Sequence, residues 1–251
     1  MTCGVAMRKT RVRVLIAFVV VVFIVGFAVI RKRLVGLPGS PTVDGSRAVI
    51  DGGIKVPCWN GKIDAAEQAA GMTLADARFS EEAGAFHITT GPAVTYWKTG
   101  EMLTNDYIVK ATFTEPKFMN LNSHAHPYGI FIGGNDMGTS VQSAFYCGAY
   151  GDGRFIARGF GPEPFRLNGL FGDKNPAIHK ALGKGQPVEQ DIALSVTGNK
   201  VVCSINGAAV GTYDSSSLVG PKRLKALSGA YGLRLAHNTD VLVTNFKAEQ
   251  Q

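Results

Sequence analysis

Short alternations of apolar and polar residues, each bounded by turn residues, run through most of the chain from about residue 48 onward. The apolar positions recur at every second residue, which is the period of a β-strand. The segments are rich in Val, Ile, Phe, Tyr and Thr, the residues that strands favour. The pattern predicts strands in AFHITT, AVTYWK, DYIVKATFTE, YGIFIGG, SAFYCGAY, RFIARGF, QDIALSVTG, KVVCSING, AAVGTYD, YGLRLAHN and DVLVTNFKA.

Tight turns separate several of these strands. Asn199 in TGNK, Asn206–Gly207 and Asp152–Gly153 are residue types that hairpin turns require. Only DAAEQAAGM and SSSLVGPKRL could form a turn or two of helix. Many short strands without intervening helices predict an all-β sandwich or barrel.

The first 33 residues follow a different pattern. Val14–Ile30 form 17 residues without a charge, which at about 1.5 Å per residue is near the lower limit for crossing a bilayer. The run ends in RKR and not in a small-x-small cleavage site, so we predict a retained transmembrane signal anchor marked by Val14, Phe18, Phe23 and Ile30. A cleaved signal peptide is the alternative.

The charge distribution sets the predicted topology. The net charge is +7, but seven of the 26 basic residues lie in the first 33 residues, and the others balance the 19 acidic residues. This distribution excludes a basic nucleic-acid-binding domain, and the positive-inside rule favours a cytoplasmic N-terminus. We therefore predict a cytoplasmic tip and anchor over 1–33, a linker over 34–48 and a periplasmic or extracellular β-sandwich over 49–251, with the lipid bilayer as one partner.

The chain has four cysteines, which are too few to predict a disulfide framework. Cys3 precedes the apolar run, and the three in the domain, Cys58, Cys147 and Cys203, leave at least one thiol unpaired. Cys147 and Cys203 lie in strand-like segments, and we interpret them as small buried core residues.

Three segments resemble the strands of concanavalin A-like jelly rolls. GQPVEQDIALSVTGNKVVCSINGAAVGTYD is similar to their late hairpin, GAYGLRLAHNTDVLVTNFKAEQ to their closing strand pair and YGIFIGG to an inner strand. Within that superfamily the chain resembles the 3-keto-disaccharide hydrolase-like group over Trp59 to Glu249. The resemblance implies a concanavalin A-like jelly-roll β-sandwich and, by analogy, a glycan ligand or a glycoside substrate.

Catalytic features of these relatives are missing. SAFYCGAY has no carboxylate where the group usually places one, and the Glu-x-Asp-x-x-Glu strand of laminarinase-like glucanases is absent. A retaining glycosidase needs two carboxyl groups about 5 to 5.5 Å apart. No Gly-x-Ser-x-Gly elbow, His-Glu-x-x-His motif or Walker loop occurs either. The sequence therefore favours a protein that is not an enzyme, and it predicts no cofactor.

Two histidines one residue apart, His124 and His126, precede Pro127 at the start of a predicted strand. In an extended segment this spacing puts both rings on one side. With Asp136 as a third ligand they could hold a metal, but no Cys or carboxylate has ligand spacing, so we favour a polar rim without metal.

A sugar site combines an aromatic face with groups that hydrogen-bond hydroxyls. Residues of both kinds lie on neighbouring predicted strands, and a long loop from Phe160 to Gln186 could close over them. The candidate ligand-binding residues are Tyr96, Trp97, His124, His126, Tyr128, Arg158, Arg166 and His237. Core packing is the alternative for Trp97, and plain surface exposure is the alternative for the two arginines.

Three functions are compatible with these residues. The first is a membrane-anchored extracytoplasmic sandwich that binds a glycan or another small polar ligand. The second is a structural subunit that docks onto a larger membrane complex. The third is a glycoside-active enzyme in which His124, His126 or His237 replaces the carboxylates.

Overall fold

A computed structural model describes residues 45–47 and 49–251. The predicted anchor, including Val14, Phe18, Phe23 and Ile30, lies outside the described residues. Within the described ranges, no helix is long and apolar enough to cross a membrane.

The start of the described chain is attached to the sandwich. Residues 45–47 belong to the segment predicted as a linker. The backbone N–H of Arg47 donates to Asn238 Oδ1 at 2.9 Å, and Asn238 Nδ2 donates to the carbonyl oxygen of Gly45 at 3.0 Å. These three residues are therefore held against the domain.

The described residues form sixteen strands in two sheets. Sheet A contains, in spatial order, β1 (Gly53–Ile54), β3 (Ala77–Glu82), β4 (Ala85–Thr90), β16 (Asp240–Gln250), β6 (Tyr107–Glu115), β12 (Val188–Thr197), β13 (Lys200–Ile205) and β14 (Ala208–Asp214). Sheet B contains β10 (Phe165–Arg166), β9 (Arg154–Phe160), β8 (Ser143–Ala149), β7 (Tyr128–Asn135), β15 (Ala230–Leu235), β5 (Val94–Lys98) and β2 (Trp59–Ile63), and β11 (Asp173–Lys174) also pairs with β9. Helical turns occur at Ala65–Ala69, Leu74–Asp76 and Ser215–Leu218.

The predicted all-β class is confirmed. Every segment predicted as a strand forms one, and AFHITT, RFIARGF and AAVGTYD match the observed strand bounds. Asn206 and Gly207 have φ angles of 51° and 80°, as a hairpin turn with two left-handed residues requires. Five strands were missed, namely β1, β2, β3, β10 and β11. Three of them are only two residues long, too short for alternation to be recognised.

The hydrophobic core lies between the two sheets. Phe113 of sheet A stacks on Tyr128 of sheet B with ring centroids 5.6 Å apart, and Phe79 packs on Tyr96 at 4.8 Å. Tyr96 and Tyr128 are fully buried there. Their prediction as ligand-binding residues is therefore wrong, because strand alternation turns both rings toward the opposite sheet.

A disulfide joins the two sheets through the core. Cys147 lies on β8 of sheet B and Cys203 on β13 of sheet A, with Cα atoms 6.3 Å apart. Both residues are buried, as predicted, but their interpretation as plain core thiols is wrong. Cys58 is free and exposed.

Candidate functional site

One row of residues crosses the face of sheet B that points away from sheet A. Its members lie directly opposite each other on successive strands, and such residues share one face of a sheet. In order they are Arg166, Arg158, Tyr146, Phe131, Gly232, Trp97 and Asn60. The row brings together three residues that the sequence suggested, Trp97, Arg158 and Arg166.

Gly232 has a steric role in the middle of this row. A Cβ there would overlap the carbonyl oxygen of Tyr96 and lie 2.9 Å from Cε1 of Phe131, so only glycine fits between that backbone and the ring. Trp97, on the other side of Gly232, is half-buried and packs against the apolar cluster that includes Phe131.

A cavity of about 380 Å³ opens on the same face. Strands of sheet B supply Tyr146, Ile156, Arg158 and Arg234 to its lining, and Tyr150 follows β8 directly. The segment before β7 and the chain after β15 add histidines, and the loop after β9 adds two apolar side chains. These further lining residues are His124, His126, His237, Leu170 and Phe171.

Gly148 makes room for the Tyr146 side chain. It lies opposite Gly129 on the neighbouring strand, so this part of the sheet carries no side chain on either strand. A Cβ on Gly148 would overlap the Tyr146 hydroxyl. The phenol therefore occupies the place that a larger residue at 148 would take.

The three imidazoles form one cluster. His126 Nδ1 lies 2.8 Å from the carbonyl oxygen of His237, and His126 Nε2 lies 2.9 Å from His124 Nε2. Because a carbonyl only accepts, Nδ1 of His126 carries a proton, and one of the two Nε2 atoms donates to the other. The rings of His126 and His237 are 4.2 Å apart, and His237 Nδ1 lies 3.5 Å from Glu67 Oε1.

Two of the three arginines in the cavity are paired with carboxylates. Arg234, which is buried, donates to Asp64 Oδ2 at 2.5 Å, and its guanidinium lies 4.9 Å from the centre of the Phe160 ring. Arg154 Nε donates to both oxygens of Asp152, at 3.0 and 2.9 Å. Each pair neutralises its own charge.

The third arginine, Arg158, has no carboxylate partner among the described residues. Its Nη2 donates to the carbonyl oxygen of Leu170, while Arg154 Nη1 donates to that of Phe171 at 2.6 Å. The two arginines thus fix the tip of the loop at the cavity. The Nε–H of Arg158 is buried and has no hydrogen-bond partner in the described part of the chain.

Tyr146 lies opposite Arg158 and has a similar unused donor. The residue is 3% exposed, and its hydroxyl makes no hydrogen bond within residues 45–47 and 49–251. Burial raises the pKa of the Tyr146 phenol, although the charges of Arg234 and Arg158 oppose that rise. The side chain is therefore a neutral O–H donor at physiological pH.

The sequence identified only part of this site. His124, His126, His237 and Arg158 line the cavity, whereas Trp97 and Arg166 share the face but lie outside the lining. Sequence reasoning missed Tyr146, Tyr150, Arg234, Asp64 and Phe171. Tyr146 and Tyr150 lie in the apolar run SAFYCGAY, which is buried on both faces and therefore shows no alternation.

Asp136 does not complete a metal site with His124 and His126. It is exposed and pairs with Lys225 Nζ at 3.3 Å, and it does not line the cavity. The prediction of Asp136 as a possible third metal ligand is therefore wrong. Across the described ranges, no group of three or more His, Cys, Asp or Glu side chains is arranged to hold a metal ion.

Carboxylates are sparse in the cavity. Asp64 is the one described carboxylate in the lining, and it is paired with Arg234. Glu189 and Asp191 are two residues apart on β12 of sheet A, where each accepts a hydrogen bond from a threonine of β6. Two-carboxylate glycoside hydrolysis therefore finds no support in the cavity.

Comparison with solved structures confirms the jelly-roll fold. A Bacillus subtilis protein of unknown function with a galectin-like fold superposes with a TM-score of 0.50 at 13% identity, over 76% of this chain and 89% of that one. A carbohydrate-binding module from Bacillus subtilis has a TM-score of 0.46 at 6% identity, over 78% and 98% of the two chains. No protein-family model matches the sequence, and no curated protein does so either. The galectin-like jelly-roll sandwich is thus shown for this chain as a fold.

Proposed function

We propose that the cavity on the outer face of sheet B binds a glycan or another small polar ligand. The observation that carries this proposal is the pair of buried donors, the Tyr146 hydroxyl and the Arg158 Nε–H, for which the described chain provides no acceptor. A buried polar group without a partner costs free energy, and a bound ligand would supply the missing acceptor.

The size and lining of the cavity support this proposal. Its volume of about 380 Å³ lies in the range of small-molecule sites, about 300 to 1,000 Å³. Phe171 is 69% exposed beside the arginines, so its ring face is free to stack on the C–H surface of a sugar ring. Aromatic stacking and directed hydrogen bonds are the two contacts that a pyranose needs.

A glycan array with the full chain in mild detergent tests this proposal. We expect binding that Phe171→Ala weakens several-fold without lowering the melting temperature, because the ring is exposed. Leu182→Ala is the matched control, since Leu182 is 97% exposed in the same loop region and does not line the cavity. Equal binding by both variants would exclude Phe171 as a contact, and the absence of binding to any glycan would contradict a glycan as the ligand.

We further propose that residues 1–33 anchor the chain and that the sandwich lies outside the cytoplasm. The apolar run Val14–Ile30 supports the anchor. The disulfide between Cys147 and Cys203 supports an oxidising compartment, because such bonds are rare in the cytosol.

The exposed thiol of Cys58 offers a direct test of this location. In a Cys3→Ser background, Cys58 is the one thiol that a maleimide can reach in the oxidised protein. A membrane-impermeant maleimide should label intact cells, or spheroplasts where an outer membrane is present, and Cys58→Ser should abolish the signal. Labelling only after the cells are lysed would place the domain in the cytoplasm.

A further inference from the structure

We infer that the ligand of this cavity carries a carboxylate, as uronic acids and other acidic sugars do, and that Arg158 and Tyr146 bind it. The inference rests on the proposed function and adds the charge class of the ligand. It is carried by the charge balance of the arginines that line the cavity and by the positions of its unused donors.

The charge balance leaves one positive charge unmatched among the arginines. Arg234 is paired with Asp64 and Arg154 with Asp152, whereas Arg158 donates to the carbonyl oxygen of Leu170, which carries no net charge. A half-buried guanidinium is stabilised most by an anion, since a charge-assisted hydrogen bond is roughly twice as strong as a neutral one. A neutral sugar hydroxyl would satisfy the donor but not the charge.

The unused donors come from two adjacent strands. Tyr146 and Arg158 are directly opposite each other on β8 and β9, so their Cβ atoms are about 4.5 to 5.5 Å apart. One donor is a phenol O–H and the other a guanidinium N–H, and neither residue needs to break a described contact to use it. A carboxylate has two oxygens in one plane and can accept from both donors at once.

The Leu170 carbonyl favours a carboxylate over a sulfate ester. That oxygen already accepts from Arg158 Nη2, so it lies beside the place where an anion would meet the guanidinium. A sulfate ester brings three oxygens to the site, one more than the two unused donors can serve. The geometry therefore points to the group with two oxygens.

Matched oligosaccharides test the inference. The probes are tetrasaccharides on gluco, galacto and manno backbones, each prepared in neutral, 6-carboxyl (uronate) and 6-sulfated forms. We expect the full chain to bind one uronate form at least about ten-fold more tightly than its neutral counterpart by calorimetry. Arg158→Gln should reduce this ratio to about one, and Arg158→Lys should preserve part of it because the charge remains.

Arg166→Gln is the matched control for the change in charge. Arg166 lies opposite Arg158 on β10, is exposed and does not line the cavity, so its removal should leave the ratio unchanged. Arg158→Gln also removes the hydrogen bond to the Leu170 carbonyl oxygen, which loosens the loop. The ratio of the uronate affinity to the neutral affinity distinguishes this loop effect from the loss of charge recognition. A loosened loop would weaken both ligands alike.

The possible outcomes separate the inference from the proposed function. Equal binding of neutral and uronate forms would overturn the inference and leave glycan binding intact. Tighter binding of a sulfated form than of its uronate counterpart would also overturn it. If no form binds, both the inference and the proposed function are contradicted.

Discussion

Tyr146 and Arg158 lie directly opposite each other on adjacent strands, and each keeps a buried donor for which the described chain has no acceptor. The other two arginines of the cavity are paired with carboxylates, Arg234 with Asp64 and Arg154 with Asp152. The two unused donors lie where the sheet and the loop at Leu170 and Phe171 line the cavity.

Replacement of Trp97 should affect stability more than binding of a short ligand. Trp97 is half-buried, packs on the cluster around Phe131 and lies outside the cavity lining. We expect Trp97→Ala to fold, to lose about 1–3 kcal/mol of unfolding free energy and to bind a disaccharide normally. Urea denaturation and calorimetry measure the two quantities.

Trp59→Ala is the informative comparison for Trp97. Trp59 is 7% exposed, and its ring contacts Phe79, Phe86 and Phe246 in the core. We expect this change to cost about 3–5 kcal/mol. A Trp97→Ala protein that is fully stable but has lost its affinity for the disaccharide would show that Trp97 is a ligand platform after all.

The disulfide should contribute substantially to stability. Cys147 and Cys203 are 56 residues apart in sequence, and closing a loop of this size stabilises a domain by about 2–4 kcal/mol. We expect dithiothreitol to lower the urea midpoint of the wild-type protein and to leave a Cys147→Ala/Cys203→Ala protein unchanged. Cys58→Ala serves as the control and should keep the full response to reductant. A urea midpoint of the wild-type protein that does not change with dithiothreitol would contradict the disulfide.

Glu115 should make the domain less stable as the pH rises. Burial raises the pKa of this carboxyl to about 7, opposed by the N–H of Met119 and reinforced by the charges of Asp240 and Asp152. The folded state thus binds a proton that the unfolded state releases near pH 4.5. The stability from this proton is present below about pH 4.5 and is lost as the pH rises through about 7.

Glu115→Gln removes that titration. We compare the free energy of unfolding of this variant with that of the wild type at two pH values. The difference, variant minus wild type, should be about 1–3 kcal/mol larger at pH 8 than at pH 4.5. Glu81→Gln, at an exposed position, is the control and should show no such widening. A difference between Glu115→Gln and the wild type that stays constant with pH would be inconsistent with this account.

The sandwich should fold without a bound metal ion. His124 and His126 contact each other and His237, and Asp136 is engaged with Lys225. Treatment with EDTA should therefore leave the melting temperature unchanged. A drop of several degrees that Zn²⁺ restores would show that the histidine cluster holds a metal after all.

The strands could be predicted because alternation and turn residues are local signals. β4, β9 and β14 follow directly from their residues, and the turn at Asn206–Gly207 follows from its residue types. The face that each side chain occupies was harder to predict. Tyr96 and Trp97 are adjacent and point to opposite faces, and the sequence alone does not say which face meets the other sheet.

The site itself depends on contacts between distant parts of the chain. Asp64 and Arg234 are 170 residues apart and meet only because β2, β5 and β15 are neighbours in sheet B. The link between Cys147 and Cys203 likewise depends on how the two sheets face each other. Local patterns carry no information on either pairing.

The affinity of Tyr146→Phe tests the central claim most directly, because this change removes only the hydroxyl. Measured with the strongest oligosaccharide from the array, affinity should fall about ten-fold while the melting temperature stays the same or rises, since an unsatisfied buried hydroxyl is lost. Tyr128→Phe is the control: its hydroxyl is also buried without a described partner, but it lies between the sheets and should not affect binding. Unchanged affinity of Tyr146→Phe would contradict a ligand bound in this cavity.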